Sequence, residues 1–118
     1  MLKSLDHIQL ALPAGAEDQL RDFYCGLLGM VEIPKPAPLQ GRGGFWATVG
    51  ALQVHFGVDP VFVPATKAHP AFVVDDLDAL AVKLAKAGHS FAWDTALPEI
   101  KRGFVTDPVG NRIELIAG

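Results

Sequence analysis

The stretch Thr106-Asp107-Pro108-Val109-Gly110-Asn111-Arg112-Ile113-Glu114-Leu115-Ile116-Ala117 decides how this chain folds. Asp107-Pro108-Val109-Gly110 reads as a turn, because proline pre-sets φ and glycine tolerates φ > 0. Behind it, over residues 111–117, Ile113, Leu115 and Ala117 alternate with Arg112 and Glu114, the period of two that marks a strand with one buried face. Glu114 therefore stands mid-strand on the face turned away from the apolar side.

Working outward from that strand, two short strands are expected before it, at residues 90–94 and 101–106. They follow a helix whose buried stripe is Leu77, Leu80, Ala81 and Leu84, with Asp75 or Asp76 as N-cap and Gly88 closing it. A strand over residues 69–74 opens this half, which reads β-α-β-β-β. The other half has the same order. A strand over residues 5–12 carries Ile8, Leu10 and Leu12 on one face and is stopped by Pro13 and Gly15. From about 17 to 28, Leu20, Phe23, Tyr24, Leu27 and Leu28 recur at helical spacing before Gly29. A short strand at 30–33 precedes a proline-rich loop at 34–42, and strands at 44–49 and 51–58 turn about Gly50. The repetition predicts one α+β domain over residues 1–118, built from βαβββ units at about 1–60 and 66–118. Each unit is too small to stand alone. Paired, their helices lie outside two mixed sheets whose inner faces line a concavity, the kind of place where ligand sites form.

Composition limits the function. The chain has 118 residues, 50% of them apolar and 19% charged, with a formal net charge of −3, as expected of a globular protein. Ten Lys and Arg scattered along a mildly acidic chain do not make the basic face that nucleic acid requires. No apolar run is long enough to span a bilayer, and the opening Met1-Leu2-Lys3-Ser4-Leu5-Asp6 does not read as a signal peptide, so no membrane role and a cytoplasmic address are expected. The lone Cys25 excludes an internal disulfide framework.

Four ligand-type residues fall at equivalent places in the repeat. His7 and His69 belong to the first strands of their units, and His55 and Glu114 to the last; 48 positions separate His7 from His55 and 45 separate His69 from Glu114. In each strand the apolar residues alternate out of phase with the candidate: Ile8, Leu10 and Leu12 with His7; Leu52, Val54 and Phe56 with His55; Phe72 and Val74 with His69; Ile113, Leu115 and Ala117 with Glu114. All four are therefore expected to face the cavity. Three imidazoles and a carboxylate suit one borderline divalent ion, Zn²⁺, Ni²⁺, Fe²⁺, Co²⁺ or Mn²⁺, and suit Ca²⁺ poorly. Were only three to bind, His7, His69 and Glu114 would leave positions open for substrate.

The doubled βαβββ pattern, the openings Leu5-Asp6-His7-Ile8 and Ala68-His69-Pro70-Ala71, and the ending from Thr106 to Leu115 closely resemble the vicinal oxygen chelate superfamily. That superfamily includes glyoxalase I, extradiol dioxygenases, fosfomycin-resistance transferases and bleomycin-resistance binding proteins. The resemblance covers nearly the whole chain, and the Asp107-Pro108 to Leu115 ending is its most specific part. It implies a glyoxalase-like fold with His7, His69 and Glu114 at the metal-holding positions. His55 falls where glyoxalase I usually carries a glutamate. Ala11 falls where glutathione-using glyoxalases carry an arginine, so a glutathione thiohemiacetal is not the expected substrate.

The implied chemistry is Lewis-acid catalysis on a small substrate that chelates the metal through neighbouring oxygens, by a lyase, isomerase or ring-cleaving dioxygenase, a glyoxalase-like lyase being the most generic. Glu114 is then either a permanent ligand or a displaceable one acting as general base. The alternative is a metal-free drug- or metabolite-binding protein of the bleomycin-resistance kind. The resemblance also implies a homodimer, with the site either within one chain or shared between two.

Gln9, Gln53 and Arg112 share strand faces with the candidates and are expected substrate contacts; Arg102 could meet an anionic group. Phe45, Trp46, Phe62 and Trp93 could form a stacking wall, although core packing is the commoner role. His89 and Cys25 read as inert. Gly41-Arg42-Gly43-Gly44 lacks the Lys-Ser or Lys-Thr of a phosphate loop and opens a strand, so it is not read as one.

Overall fold

The structure, a computed structural model, describes residues 1–118. The chain divides into two compact units, Met1–Val63 and Pro64–Gly118. The first contains β1 (His7–Leu12), α1 (Glu17–Arg21), β2 (Val31–Ile33), β3 (Phe45–Val49) and β4 (Leu52–Val58), in a mixed sheet of order β1-β4-β3-β2. The second contains β5 (Ala71–Val74), α2 (Leu77–Lys86), β6 (Ala92–Asp94), β7 (Arg102–Thr106) and β8 (Arg112–Ala117), in the order β5-β8-β7-β6. In each unit the first strand runs parallel to the last and the remaining neighbours are antiparallel. The expected β-α-β-β-β order is therefore found twice.

Each sheet buries the face that alternation predicts. Leu12, Phe45, Ala47, Val54 and Phe56 are buried in the first unit together with Leu20, Phe23 and Tyr24. In the second, Val105, Ile113 and Leu115 are buried along with Leu77 and Leu84 of α2. Asp76 is the N-cap of α2, its Oδ1 accepting from the Ala79 amide at 3.0 Å. The buried Asp107 ties the last turn, its Oδ1 accepting from the amides of Val109 and Asn111 at 3.0 and 2.9 Å.

Several boundaries differ from expectation for local reasons. The helix expected over residues 17–28 is α-helical only to Arg21 and continues as a π-helical turn, Asp22–Leu27, in which the Leu28 amide reaches the Phe23 carbonyl at 3.0 Å. Phe23 and Tyr24 both reach the core beside Leu20, as their spacing predicts, with Tyr24 tilted on Phe56 at 4.6 Å. The strand expected from residue 69 begins at Ala71, because Pro70 has no N–H to donate, although its carbonyl still accepts from the Glu114 amide at 3.0 Å. The connection at Gly50 is a two-residue hairpin turn, Gly50 and Ala51, closed by the Val49 and Leu52 pair. Gly50 takes φ +56°, the left-handed value such turns require. No helix is long and apolar enough to cross a membrane.

Candidate metal centre

Sheet register makes the four candidate ligands equivalent between units. His55 lies between Gln9 of β1 and Trp46 of β3; Glu114 lies between Ala71 of β5 and Phe104 of β7. Two residues before Gln9 stands His7, and two before Ala71 stands His69. His69 thus occupies the place expected of it in the repeat while standing ahead of its strand, which corrects the reading that put it inside.

In the first unit three rings stack across three strands. His55 is sandwiched between His7, with centroids 4.0 Å apart, and Trp46, at 3.5 Å and 3° from parallel. The stack and the sheet leave His55 only 6% exposed. Its Nε2 is 2.9 Å from Gln53 Oε1 and donates to it. His7 is more open, and its Nδ1 lies 2.8 Å from Asp6 Oδ2, which leaves Nε2 as the nitrogen able to ligate. A carboxylate behind Nδ1 is a common way to orient a metal-binding imidazole.

In the second unit, His69 Nδ1 donates to the Lys67 carbonyl at 2.9 Å, and its Nε2 faces Glu114 Oε1 at 2.9 Å. The other oxygen, Oε2, accepts from Arg102 Nη1 at 3.2 Å, and Arg102 Nη2 reaches Asp94 Oδ2 at 3.3 Å. With Nδ1 carrying its proton toward Lys67, Nε2 and Oε1 bring two lone pairs together. A cation must lie between lone pairs this close, either a proton or a metal ion. The donor set therefore fits a divalent ion: one imidazole oriented through its far nitrogen, and one carboxylate whose second oxygen is already engaged.

The structure brings the four expected ligands together as two pairs, His7 with His55 and His69 with Glu114. No group of three or more His, Cys, Asp and Glu side chains that could hold an ion is formed. Gln53 supports His55 directly. Gln9 lies flat over Gly57, where an added Cβ would stand 2.1 Å from its Nε2. Arg112 places its guanidinium 4.0 Å from the Phe104 centroid and bonds the Lys67 carbonyl at 3.3 Å, beside His69. Of the aromatic residues, Phe45 is core, whereas Trp46 lies on the candidate face.

Sequence reasoning did not assign Asp6 or Asp94, and it named Trp46 only as one of four aromatic residues able to form a stacking wall. Asp6 was available as the immediate neighbour of His7. Trp46 depends on the β3–β4 register, and Asp94 on the β6–β7 pairing that sets it opposite Arg102.

Burial, and then the neighbouring His7, hold the His55 imidazole below its usual pKa range, with Asp6 opposing. The unfolded chain takes up the proton first, so this contribution is lost as pH falls through about 6.5, the value of a free imidazole, and the loss grows until folded His55 itself titrates. Urea unfolding between about pH 8 and pH 5.5 should show this loss, and His55→Gln should show a smaller one. An unchanged slope in the variant would remove His55 as its source.

Two βαβββ units with ligand-type residues at equivalent sheet positions define the class of protein. A glyoxalase family protein from Bacillus anthracis has 43% identity, with the match covering 100% of this chain and 97% of that one at a TM-score of 0.94. The chain therefore belongs to the glyoxalase family, within the vicinal oxygen chelate superfamily. The same fold is found in a genomically encoded fosfomycin resistance protein from Listeria monocytogenes, at 17% identity, 100% and 95% coverage and TM-score 0.80. It is found too in a lactoylglutathione lyase from Agrobacterium tumefaciens, at 16% identity, 94% and 92% coverage and TM-score 0.69. No protein-family model and no curated protein matched the sequence.

Proposed function

We propose that this protein is a metal-dependent enzyme in which His7, His69 and Glu114 hold one divalent ion for a small substrate with neighbouring oxygens. The observation that carries this is the pair His69 Nε2 and Glu114 Oε1, 2.9 Å apart, with the far nitrogen of the histidine on Lys67 and the far oxygen of the glutamate on Arg102. Each side chain has one donor atom left, and these two atoms converge. His7, oriented by Asp6, presents its Nε2 in the same manner. Each of these side chains is oriented by a hydrogen bond at its far atom, which lowers the ordering cost that side chain pays on binding an ion.

Bound, the ion supplies Lewis-acid charge to the substrate's oxygens, as in a glyoxalase-like lyase or a dioxygenase. Zn²⁺, Ni²⁺, Fe²⁺, Co²⁺ and Mn²⁺ all suit this donor set. With Nε2 donating to Gln53, the lone pair of neutral His55 is on Nδ1, and Nε2 could ligate only by releasing Gln53; in this reading His55 serves as a wall that fixes the His7 ring by stacking. In this reading Gln9, Gln53 and Arg112 are the substrate contacts, supported by Arg112 lying beside His69 and Gln53 bonding His55, and a homodimer is the assembly we expect.

Elemental analysis of protein purified without a histidine tag, before and after chelation, tests the proposal. The wild type is expected to hold roughly one metal per chain, His69→Ala and Glu114→Ala to hold almost none, and His55→Ala to retain it. Occupancy should fall on acidification, because imidazole and carboxylate bind an ion only in their deprotonated forms. Wild-type protein that stays metal-free and refuses added Ni²⁺, Zn²⁺, Mn²⁺ and Fe²⁺ would overturn the proposal in favour of a metal-free binding protein. Turnover is then sought with methylglyoxal–thiol adducts, catechols and fosfomycin, against His7→Ala as control.

A further inference from the structure

We infer that the ligand carries an oxyanionic tail, a carboxylate or a phosphonate, held by Arg42 and Lys35 in a cavity beside His55. The inference rests on the metal reading above for the chelating end of that ligand and goes beyond it in naming the other end. The cavity, of about 340 Å³, lies within the first unit and is lined among others by Gln9, Lys35, Arg42, Trp46, His55 and Gly57. Two cations line it and no carboxylate does. Trp46 and His55 line it, and His7, a proposed ion-binding side chain, stacks on His55 with ring centroids 4.0 Å apart.

The loop that carries Arg42 has a defined shape. Gly41, Gly43 and Gly44 take φ of +88°, +75° and +74°, a region that other residues rarely enter. Glu17 Oε2 accepts from the Gly44 amide at 3.0 Å, and Lys35 Nζ donates to the Gly43 carbonyl, so the backbone just after Arg42 is tied from two sides. The Arg42 guanidinium itself makes no ion pair or hydrogen bond with the protein, leaving all five N–H donors for a ligand. Lys35 commits one donor to Gly43 and keeps two. Gln9, lying over Gly57, adds an amide to the same wall. A guanidinium fork, an ammonium and an amide around a small polar cavity match an oxyanion's acceptors and its charge.

The test titrates Zn²⁺-loaded protein with three matched series of hydroxamates of increasing chain length, ending in a methyl group, a carboxylate or a phosphonate, by calorimetry. Wild-type protein is expected to prefer a carboxylate or phosphonate series over the methyl one by about tenfold at its best length, with the preference weakening as salt rises. Arg42→Met should collapse that ratio while keeping the metal content and the melting temperature; Lys35→Met, which also releases the Gly43 carbonyl, should collapse it while keeping the metal content. The charged series that binds more tightly identifies the tail.

A loaded wild-type protein without any preference for charge would overturn this inference and leave the metal reading intact. Should the protein refuse metal, succinate and methylphosphonate titrated into the metal-free protein decide the matter by NMR. Saturable shifts at the Trp46 indole and Gly43 amide that vanish in Arg42→Met support the anion site alone, and their absence in wild type overturns it.

Discussion

Gly44→Ala is expected to destabilise the protein by about 3 kcal/mol or more, read as a fall in the urea midpoint. Gly44 holds φ +74°, and a Cβ built there would lie 2.0 Å from the Phe56 carbonyl oxygen. That oxygen belongs to β4, which pairs with β1 on one side and β3 on the other, so it cannot retreat without breaking a ladder. Any shift of the loop also strains the bond from the Gly44 amide to Glu17, the leading cause of that carboxyl's lowered pKa. Gly41→Ala is the control: φ is +88° but nothing stands within 4 Å of the added carbon, so only the conformational penalty of about 1–2 kcal/mol is expected. Equal losses for the two variants would show that backbone conformation, and not the contact with Phe56, sets the cost.

Arg102→Met should be nearly as damaging, at about 3 kcal/mol, and should also weaken metal binding. The Arg102 side chain is 15% exposed and bridges Asp94 with Glu114, which is 10% exposed, so its loss strands a nearly buried carboxylate. Its own Nε is buried without a partner, a desolvation already borne in order to place Nη1 and Nη2 on the two acids. Lysine keeps the charge but not the fork, so Arg102→Lys should fall between wild type and Arg102→Met in both stability and metal affinity. Adding Glu114→Gln to Arg102→Met removes the stranded charge and should recover much of the stability while leaving the protein without metal. A double variant no more stable than Arg102→Met would refute the stranded-charge account; thermal melts with parallel metal titrations of the four proteins supply the comparison.

The face on which each candidate stands was legible because side-chain alternation along a strand is a property of the covalent chain. Ile113 and Leu115 are buried in the core, and that alone turns Glu114 to the other face. The turn at Asp107 and the ends of the helical segments were legible for a similar reason, since glycine and proline act through their own backbone geometry. Gly29, at φ +82°, ends the first helical segment, and Gly88, at φ +89°, follows the second. Where the reading failed, the missing quantity was which backbone hydrogen bonds form. The spacing of Leu20, Phe23 and Tyr24 gave the buried face, and all three are buried, but it carries no record of the Leu28 amide bonding to the Phe23 carbonyl, which makes Asp22–Leu27 a π-helical turn. His69 was placed inside a strand because alternation carries no record of the hydrogen bond that Pro70 cannot make.

By itself, then, the sequence determined the repeated order of elements, the faces of His7, His55 and Glu114, and the ligand types offered to an ion, all of which depend on residues near one another in the chain. Tertiary structure alone decided which atoms of those ligands remain free. Gln53 and Trp46 engage His55, Asp6 orients His7, and Arg102 takes one oxygen of Glu114 from 12 residues away. It likewise brought Arg42 to the cavity that His55 lines. Except for Asp6 beside His7 and Gln53 two residues from His55, these contacts depend on strand register and loop path, which are set by the packing of a whole unit and leave no local pattern to read.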